Sequence, residues 1–352
     1  MLKKGLSMRE TLFYEKLPRM AVRCRTCAHF CERLPGQWGR CGIRQNIDGK
    51  MIVLNYGRII SAAADPIEKK PLFHFLPGTK TFSIAAAGCN FSCRYCQNWQ
   101  ISQVRDLAKD PSRINSFWGE PADPAQIVTE AIKYNCHSLS YTYTEPTIFV
   151  EFALAVMKAA RAKGLKNCWV SNGFMSAETR AAILPYLDAI NIDLKFFDDR
   201  KYQQICGARL NPVLENIAVL KTAGVWVELT TLVVPGQNDD PTQLRKMAEF
   251  IAKKVGPATP WHLSRFSPEI SYRLQDGTTT PSQTIIKGIA IGQQAGLAYV
   301  YGGNLPGYQL EDTLCPHCRK TLVVRRGFSS DFPYGKAKKC PNCQAKTDLI
   351  WA

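Results

Sequence analysis

Predicted strands and helices alternate along the middle of this 352-residue sequence, and this alternation constrains the fold most. Short β-rich or apolar runs are each followed by a stretch with apolar residues at helical spacing. The predicted strands are residues 81–88, 137–146, 166–173, 189–196, 225–236 and 261–268, with 298–303 after the last helix. Such repetition is typical of parallel strands joined by right-handed crossovers. Since six units fall short of the eight of a closed barrel, we expect an α/β fold, an open, partial (β/α)6 TIM-like barrel.

The cysteines of this sequence are grouped rather than scattered. Three of the 14, Cys136, Cys168 and Cys206, stand alone and are predicted to be small buried hydrophobes. The chain has no apolar run of about 18 residues that could span a membrane. Its N-terminus lacks the apolar core of a secretory signal. We therefore expect a cytoplasmic protein whose grouped cysteines serve metals or catalysis rather than disulfides.

The C-terminal cysteines form two CxxC pairs, CPHC and CPNC, separated by 21 residues. This pattern is close to that of a zinc ribbon. We expect Zn²⁺ at Cys315, Cys318, Cys340 and Cys343, with rubredoxin-like iron as the alternative. The ribbon could dock a partner, bind nucleic acid or cap one end of the barrel.

The N-terminal cysteines have the spacing C-x2-C-x3-C-x9-C, which resembles ferredoxin runs without matching one. Cys24, Cys27, Cys31 and Cys41 could hold either zinc or an auxiliary [4Fe–4S] cluster, and the spacing leaves both open. Together these patterns predict four parts, listed here in chain order. They are an N-terminal four-cysteine module (1–64), a linker or lid (65–80), the barrel (81–308) and a C-terminal zinc-ribbon-like module (309–352).

The net charge of +16 is concentrated in the two cysteine-rich ends. Residues 1–50 carry 11 Lys and Arg against 4 Asp and Glu, and residues 313–352 carry 8 against 2. Such segments can bind nucleic acid, but they also neutralise thiolates around a metal ion. The second interpretation is favoured because no aromatic-and-basic signature of nucleic-acid binding accompanies the charge.

Three cysteines, Cys89, Cys93 and Cys96, directly follow the first predicted strand. Active sites of parallel α/β folds gather at the carboxyl ends of strands. A [4Fe–4S] cluster has four irons to ligate, so three thiolates leave one iron open for a substrate or cofactor. The alternative is a zinc loop that takes a distant fourth ligand such as His29 or Cys136.

Several stretches together resemble the radical S-adenosylmethionine (SAM) enzymes. The chain is similar to the branch of the pyruvate formate-lyase activating enzymes, and still more to the radical SAM component of the AmmeMemoRadiSam system. The stretches are VRCRTCAHFCERLPGQWGRCGIRQN, LNYGRI, DPIEKKPLFHFLPGTKTFSIAAAGCNFSCRYCQNWQIS, YTYTEPT, NIDLKFF and LVVPGQND. The resemblance implies a [4Fe–4S] cluster on Cys89, Cys93 and Cys96 that binds SAM and cleaves it reductively, so that hydrogen is abstracted from a substrate.

The resemblance also suggests SAM contacts at the ends of the first three strands. Tyr95 stands where the family often packs an aromatic ring on adenine, although simple loop packing is the alternative. Glu145 in TEP stands where an acidic residue of the family contacts the SAM ammonium, and the alternative is a solvated glutamate at the end of a strand. Ser171 and Asn172 in SNG stand where polar groups reach the ribose or carboxylate, although a turn explains them nearly as well.

Two further candidates lie on later strands. Asp193 and Lys195 in NIDLK are two residues apart, so both point to one face, either toward SAM or as a buried ion pair. His262 opens the sixth strand near the position of a SAM-ribose contact in relatives, and a core histidine is the alternative.

The sequence thus predicts a radical SAM enzyme with an unidentified substrate, either activase-like on a protein or peptide, or part of a multi-protein modification system. The resemblance implies an electron donor such as flavodoxin or ferredoxin, and a Memo-type partner protein. The alternatives are an RNA-modifying radical SAM enzyme, motivated by the basic ends, and a non-catalytic zinc-binding interaction module.

Overall fold

The computed structural model describes residues 8–107, 119–305 and 307–352. Parts of the predicted N-terminal module (1–7) and barrel (108–118 and 306) lie outside the described residues. In chain order the strands are β1 (Arg9–Glu10), β2 (Tyr14–Lys16), β3 (Val22–Cys24), β4 (Glu32–Arg33), β5 (Arg44–Ile47), β6 (Lys50–Val53), β7 (Arg58–Ile59), β8 (Ser61–Pro66), β9 (Lys80–Ala85), β10 (Glu120–Pro121), β11 (Ser138–Tyr141), β12 (Lys166–Ser171), β13 (Ala189–Asp193), β14 (Trp226–Val233), β15 (Trp261–Arg265), β16 (Val300–Gly303), β17 (Thr313–Leu314), β18 (Thr321–Arg326) and β19 (Ser329–Asp331).

The helices fall mostly between the strands of the barrel. They are α1 (Trp99–Ser102), α2 (Val104–Leu107), α3 (Pro124–Lys133), α4 (Val150–Ala162), α5 (Ala177–Ile183), α6 (Asp199–Lys201), α7 (Leu210–Thr222), α8 (Pro241–Phe250) and α9 (Ser282–Gln294). Short 3-10 turns cover Ile67–Lys69, Pro146–Phe149, Leu184–Tyr186 and Pro268–Ile270, and π-turns cover Tyr202–Cys206 and Ile251–Val255. No helix of the described residues is long and apolar enough to cross a membrane.

The central sheet has the strand order β16-β15-β14-β13-β12-β11-β9-β8. Its seven strands from β9 to β16 pair in parallel, each with the next along the chain apart from the short β10. β8 and β16 are its two edges, so the described sheet is open. This arrangement confirms the predicted α/β fold with a central parallel sheet.

Burial explains why the strands lack a polar alternation. All four residues of β11 and the first four of β13 are buried, because helices cover one face and the barrel interior lies on the other. Trp169 and Trp261, each fully buried, belong to the same hydrophobic core. The core therefore fixes the strand ends from which the candidate site residues project.

β8 is an element that the sequence analysis did not predict. It runs antiparallel to β9, with Ser61 opposite Ala85 and Pro66 opposite Lys80. Its sequence, SAAADP, has no strong strand signal, and the strand forms because β9 offers an edge for pairing. β8 crosses residue 64, the predicted end of the N-terminal module.

A buried ion pair joins the N-terminal segment to the barrel. Arg44 in β5 and Glu151 in α4 each have 2% exposed side chains, and Arg44 Nη2 lies 2.8 Å from Glu151 Oε2. Thr11 donates to Glu151 Oε1 at 2.5 Å, and Arg44 also donates to the carbonyl of Ile148. The small sheets β1-β6-β5 and β2-β3-β4 are thereby held against the barrel.

The segment predicted as a linker or lid lies across the amino-terminal edge of the sheet. Glu228, near the start of β14, accepts hydrogen bonds from the backbone N–H groups of Phe73 and His74 at 3.0 and 2.9 Å. It also accepts one from His262 Nε2 at 2.8 Å. Residues 71–76, which we call the floor segment, thus close the barrel at the end opposite to Cys89, Cys93 and Cys96.

The C-terminal strands β17-β18-β19 form a small antiparallel sheet beside the floor segment. Arg325, with 2% exposure, donates to the carbonyl of Phe73 at 2.6 Å, and its guanidinium lies 4.2 Å from the Phe73 ring centroid. The N–H of Ile350 donates to the carbonyl of His74, and the N–H of Leu76 to that of Ile350. The C-terminal module therefore packs against the end of the barrel.

Removal of the carboxylate partner of Arg44 should destabilise the protein strongly. In Glu151→Gln a buried guanidinium loses its charge partner, which costs about 3–5 kcal/mol in comparable sites. The measurement is urea unfolding of the anaerobically reconstituted protein. Glu130→Gln, on the surface of α3, is the matched control, and its expected change is within about 0.5 kcal/mol. Equal losses of unfolding free energy in the two variants would contradict this account of the ion pair.

Buried His74 should make the folded state sensitive to acid. It donates from Nδ1 to the Asp348 carbonyl and accepts at Nε2 from the Tyr301 hydroxyl. Burial lowers the pKa of His74 to about 4, opposed by Glu228 and reinforced by Arg325 and His262. Because the unfolded pKa is higher, at about 6.5, its contribution is fully present above pH 6.5 and is lost as pH falls toward 4.

We expect this group to account for about 2 kcal/mol of unfolding free energy between pH 7.5 and pH 5. The measurement is the difference in pH dependence between the wild type and His74→Gln, which lacks the titrating ring. Taking the difference removes the acid sensitivity of any bound metal centre. Parallel pH profiles for the two proteins would show that His74 does not titrate in this way.

Candidate active site

A cavity of about 420 Å³ lies inside the barrel, between the carboxyl ends of the strands and the floor segment. All the residues that the sequence analysis proposed for the cluster and SAM line it. They are Cys89, Cys93, Tyr95, Cys96, Glu145, Ser171, Asn172, Asp193, Lys195 and His262. Five strands of the sheet, β9, β11, β12, β13 and β15, therefore bring together side chains that span about half of the sequence.

The cysteine loop, residues 88–98, begins at a glycine that no other residue could replace without strain. Gly88 has φ +103°, and a Cβ atom there would lie 2.8 Å from Ile43 Cγ2 and 3.1 Å from the carbonyl oxygen of Cys41. Farther along, the N–H groups of Ser92 and Arg94 donate to the carbonyls of Cys206 and Ile205. The loop is thus fixed by the N-terminal segment on one side and the Tyr202–Cys206 π-turn on the other.

Of the three thiols of this loop, Cys93 is buried, and Cys89 and Cys96 are partly buried. Burial raises the pKa of Cys89 and of Cys96, and Cys96 Sγ lies 3.2 Å from the Ser102 hydroxyl. A hydrogen bond with Cys206, together with burial, raises the pKa of Cys93. In the absence of a bound cation these groups are therefore neutral thiols, and ligation would ionise them.

The sulfur atoms of Cys89, Cys93 and Cys96 do not meet at one point. Among the described residues, only the C-terminal cysteines bring three or more ligand atoms within 4.8 Å of one another. His29 donates from Nε2 to the carbonyl of Asn90 at 2.8 Å, and Cys136 precedes β11 at the opposite edge of the sheet. A single zinc ion on this loop with either residue as fourth ligand is therefore disfavoured.

Glu145 connects the ends of β11 and β12. It is 1% exposed, and its Oε1 accepts hydrogen bonds from the Thr147 N–H, the Thr147 hydroxyl and the Ser171 hydroxyl. Its Oε2 accepts one hydrogen bond, from the Asn172 N–H at 2.8 Å. Burial raises the pKa of Glu145, and these donors offset part of that effect. Oε2 thus retains acceptor capacity on a carboxylate that lines the cavity.

Ser171 and Asn172 both support this arrangement. Asn172 donates from Nδ2 to Asn90 Oδ1 at 2.7 Å and lies 3.9 Å from Cys89 Sγ. Ser171 also accepts from the N–H of Gly173 at 3.0 Å, which is the turn that the sequence offered as the alternative. The SNG sequence therefore forms a turn and lines the cavity at the same time.

Asp193 and Lys195 form an ion pair of 2.9 Å on the cavity wall. Burial alone lowers the pKa of Lys195, but the Asp193 carboxylate and nearby thiols raise it overall. Tyr95 is 3% exposed, and its hydroxyl lies 3.6 Å from Cys206 Sγ. All three residues thus make internal contacts and also line the cavity.

His262 lies at the floor of the cavity rather than beside the cysteine loop. Besides its hydrogen bond to Glu228, its ring stacks on Tyr301 at 5.2 Å and meets Phe73 edge-on at 4.6 Å. Its hydrogen-bond partner, Glu228, is thus a buried residue of the barrel core.

Sequence reasoning missed three features of the cavity. Cys206 was treated as an isolated hydrophobe, yet it contacts Cys93 and Tyr95. Thr230 lines the cavity with a buried hydroxyl that has no hydrogen-bond partner in the described structure. Tyr143 has φ +65°, and its hydroxyl donates to Asp65 at 2.6 Å. The two-residue period of β14 could have placed Thr230 on the face of Glu228, but no local signal marks Cys206.

The C-terminal cysteines have the geometry of a site for one metal ion. Cys315 Sγ lies 3.6 Å from Cys343 Sγ, and Cys318 Sγ lies 3.5 Å from Cys340 Sγ. A tetrahedral ion with metal–sulfur bonds of about 2.3 Å sets sulfur atoms about 3.8 Å apart. The four residues are thus a candidate metal site, and this geometry is common to zinc and to a single iron.

The N-terminal cysteines line a second, much smaller cavity of about 10 Å³. Burial raises the pKa of Cys24, Cys27 and Cys41, and in Cys41 it reaches about 11. All 14 cysteines lie in the described parts of the chain, and all are free.

Comparison with known proteins places this geometry in a family. A family model described as the radical SAM superfamily matches residues 83–250, which include the cysteine loop and most of the cavity strands. An uncharacterized protein of Methanocaldococcus jannaschii is 42% identical over 345 residues, which cover 97% of this chain and 100% of that protein.

Two further similarities involve proteins with named activities. The (2S)-3-sulfopropanediol dehydratase activating enzyme of Klebsiella oxytoca is 24% identical over 152 residues, and the match covers 42% of this chain and 48% of the enzyme. A domain of a pyruvate-formate lyase-activating enzyme from Bacteroides vulgatus has a TM-score of 0.42 at 20% identity, covering 47% of this chain and 99% of the domain. The chain thus spans about half the length of the Klebsiella enzyme. It belongs to the radical SAM superfamily and has activating enzymes among its relatives.

Proposed function

We propose that this chain uses a [4Fe–4S] cluster on Cys89, Cys93 and Cys96 to cleave SAM reductively and abstract hydrogen from a substrate in the barrel. One observation carries the proposal: three thiols and seven further candidate side chains line a single cavity of about 420 Å³. When bound, the cluster and SAM supply the radical chemistry, and the chain supplies binding and orientation.

The residues present fit a cluster better than a single ion. Each thiol of a cubane binds a different iron, so the sulfur atoms stand apart, as those of Cys89, Cys93 and Cys96 do. The buried hydroxyl of Thr230 has no partner in the described structure and would gain one from a polar molecule in the cavity.

Glu145 is the residue that we propose to bind the SAM ammonium. Its Oε1 is held by Thr147 and Ser171, which fixes the carboxylate plane, while Oε2 keeps a vacant acceptor position. Burial destabilises the charged form of Glu145 and raises its pKa. A cationic partner would stabilise that charged form, so the site favours a cation such as an ammonium group. We assign Ser171 and Asn172 to the support of Glu145 and to the polar wall beside Cys89.

Asp193, Lys195, Tyr95 and His262 complete the proposed site. The Asp193–Lys195 pair presents both signs of charge to the cavity and suits a zwitterionic amino acid moiety. Tyr95 offers a buried ring for adenine beside the cysteine loop. His262, near the floor, has its Nε2 occupied by Glu228, so we assign it to the wall that encloses bound molecules rather than to the cysteine end.

The likeness to activating enzymes supports a protein or peptide substrate, or a step within a multi-protein modification system. We also propose a low-potential electron donor such as flavodoxin or ferredoxin, and a Memo-type partner. For the C-terminal cysteines we propose Zn²⁺, with rubredoxin-like iron as the alternative, within the four-part division of the chain predicted above.

The direct test is an anaerobic assay of 5′-deoxyadenosine after reconstitution and reduction with SAM. Cys93→Ala should abolish the product and remove about four irons per chain, because one corner of the cluster is lost. Cys136→Ala, at the opposite edge of the sheet and outside the cavity, is the matched control. It should keep both the 5′-deoxyadenosine product and the iron content. A wild type that binds zinc alone and takes up no iron would refute the proposal and leave an interaction module.

Loss of the charge at Glu145 should weaken SAM binding. Glu145→Gln keeps the shape but replaces a charge-assisted hydrogen bond, worth about 1.5–3 kcal/mol, so we expect Kd to rise at least about tenfold. Equilibrium dialysis of labelled SAM against the reconstituted protein measures this. Glu215→Gln, which is largely exposed, is the control. An unchanged Kd in Glu145→Gln would remove Glu145 from the SAM site.

A further inference from the structure

The four N-terminal cysteines differ from the C-terminal four in how their sulfur atoms are placed. Among the described residues, no three of Cys24, Cys27, Cys31 and Cys41 have their sulfur atoms within 4.8 Å of one another. The two groups have the same number of thiols, but the sulfur atoms are close together in the C-terminal group and separated in the N-terminal group. The separation of the sulfur atoms sets the size of the metal centre that each group can bind.

A single ion cannot satisfy the N-terminal arrangement without movement of the chain. Around one tetrahedral ion the sulfur atoms are about 3.8 Å apart and touch one another, so the space at the centre holds only the ion. The N-terminal cysteines instead surround a cavity in which the centre of a water-sized sphere can move through about 10 Å³, so the hollow between them is larger than one water molecule. No pair of them makes the sulfur–sulfur contact that occurs twice in the C-terminal group of the described structure.

A buried hydrogen-bond donor indicates that this cavity binds an anionic or sulfur-containing group. Arg44 lines it with a side chain that is 2% exposed. Its Nη1 and Nη2 atoms are used by Glu151, Thr11 and Ile148, but its Nε has no hydrogen-bond partner in the described structure. A buried N–H without an acceptor is costly, so a bound sulfide or thiolate would satisfy it.

The N-terminal group also touches the cysteine loop of the proposed active site. His29, between Cys27 and Cys31, donates to the carbonyl of Asn90, the residue after Cys89. The carbonyl of Cys41 lies against Gly88, where a Cβ atom would be 3.1 Å away. The N-terminal group therefore lies next to the cysteine loop, and a centre at the N-terminal group would be a neighbour of one at Cys89, Cys93 and Cys96.

We propose that Cys24, Cys27, Cys31 and Cys41 hold a second [4Fe–4S] cluster, fully ligated by protein. Four separated thiols match the four irons of a cubane. A two-iron cluster places two thiols on each iron, which requires close sulfur pairs that this group lacks. The adjacency to the cysteine loop suits a centre that exchanges electrons with it.

The test is a metal count in proteins reconstituted anaerobically with iron and sulfide. The wild type should contain about eight irons per chain, together with one metal ion at the C-terminal group. The triple variant Cys89→Ala, Cys93→Ala, Cys96→Ala should keep about four irons. After dithionite reduction it should show a cubane electron paramagnetic resonance signal that SAM does not alter. This result does not depend on SAM cleavage, so it stands or falls separately from the proposed activity.

Two further variants keep the test decisive if the triple variant fails to fold. Cys27→Ala with Cys31→Ala should remove about four irons from the wild-type content and leave the C-terminal metal in place. Cys315→Ala with Cys318→Ala should remove that metal and leave about eight irons. A wild type with about four irons and two zinc ions, or a triple variant with zinc alone or about two irons, would overturn the proposal.

Discussion

The parallel pairing of β9 with β11, and so on to β16, is the constraint on which the candidate site depends. Parallel strands must all end at the same edge, so residues distant in sequence meet there. The cysteine loop follows β9, Glu145 follows β11, and Asn172 follows β12. No local interaction between these segments is needed to bring them together, because the hydrogen-bond register of the sheet sets their separations.

Once the strand ends are placed, hydrogen bonds among the loops set the finer geometry. Asn172 is the centre of this arrangement: its N–H holds Glu145, and its side chain holds Asn90 beside Cys89. The same residue therefore orients the carboxylate and the loop that carries the first thiol. Asn90 in turn accepts the hydrogen bond of His29, which extends the network to the N-terminal cysteines.

Much of this could be predicted from the sequence, because its signals are local. The parallel strands β9 and β11–β16 each have a short apolar or β-rich run, and the cysteine spacing marks the loop directly. β8 gave no such signal, since SAAADP becomes a strand only by pairing with β9. The floor segment is an apolar run, PLFHFL, but its sequence does not show that it closes the barrel. Cys206 could not be predicted either, because it approaches Cys93 only in the folded chain, with 112 residues between them in sequence.

The three cysteine groups show why spacing alone could not decide which metal centre each would hold. Their sequence patterns all allow zinc or iron, since CxxC pairs occur with both. What separates them is the distance between sulfur atoms, which depends on how the backbone of each group is held. The C-terminal group is a small antiparallel sheet that draws its thiols to one point. In the other two groups of the described residues, no three sulfur atoms lie within 4.8 Å of one another. Cys206 and Asn172 contact the active-site loop, and Arg44 and His29 line the cavity beside the N-terminal cysteines. Under the assignments proposed above, the number of metal atoms that a group accepts is therefore set by the surrounding fold.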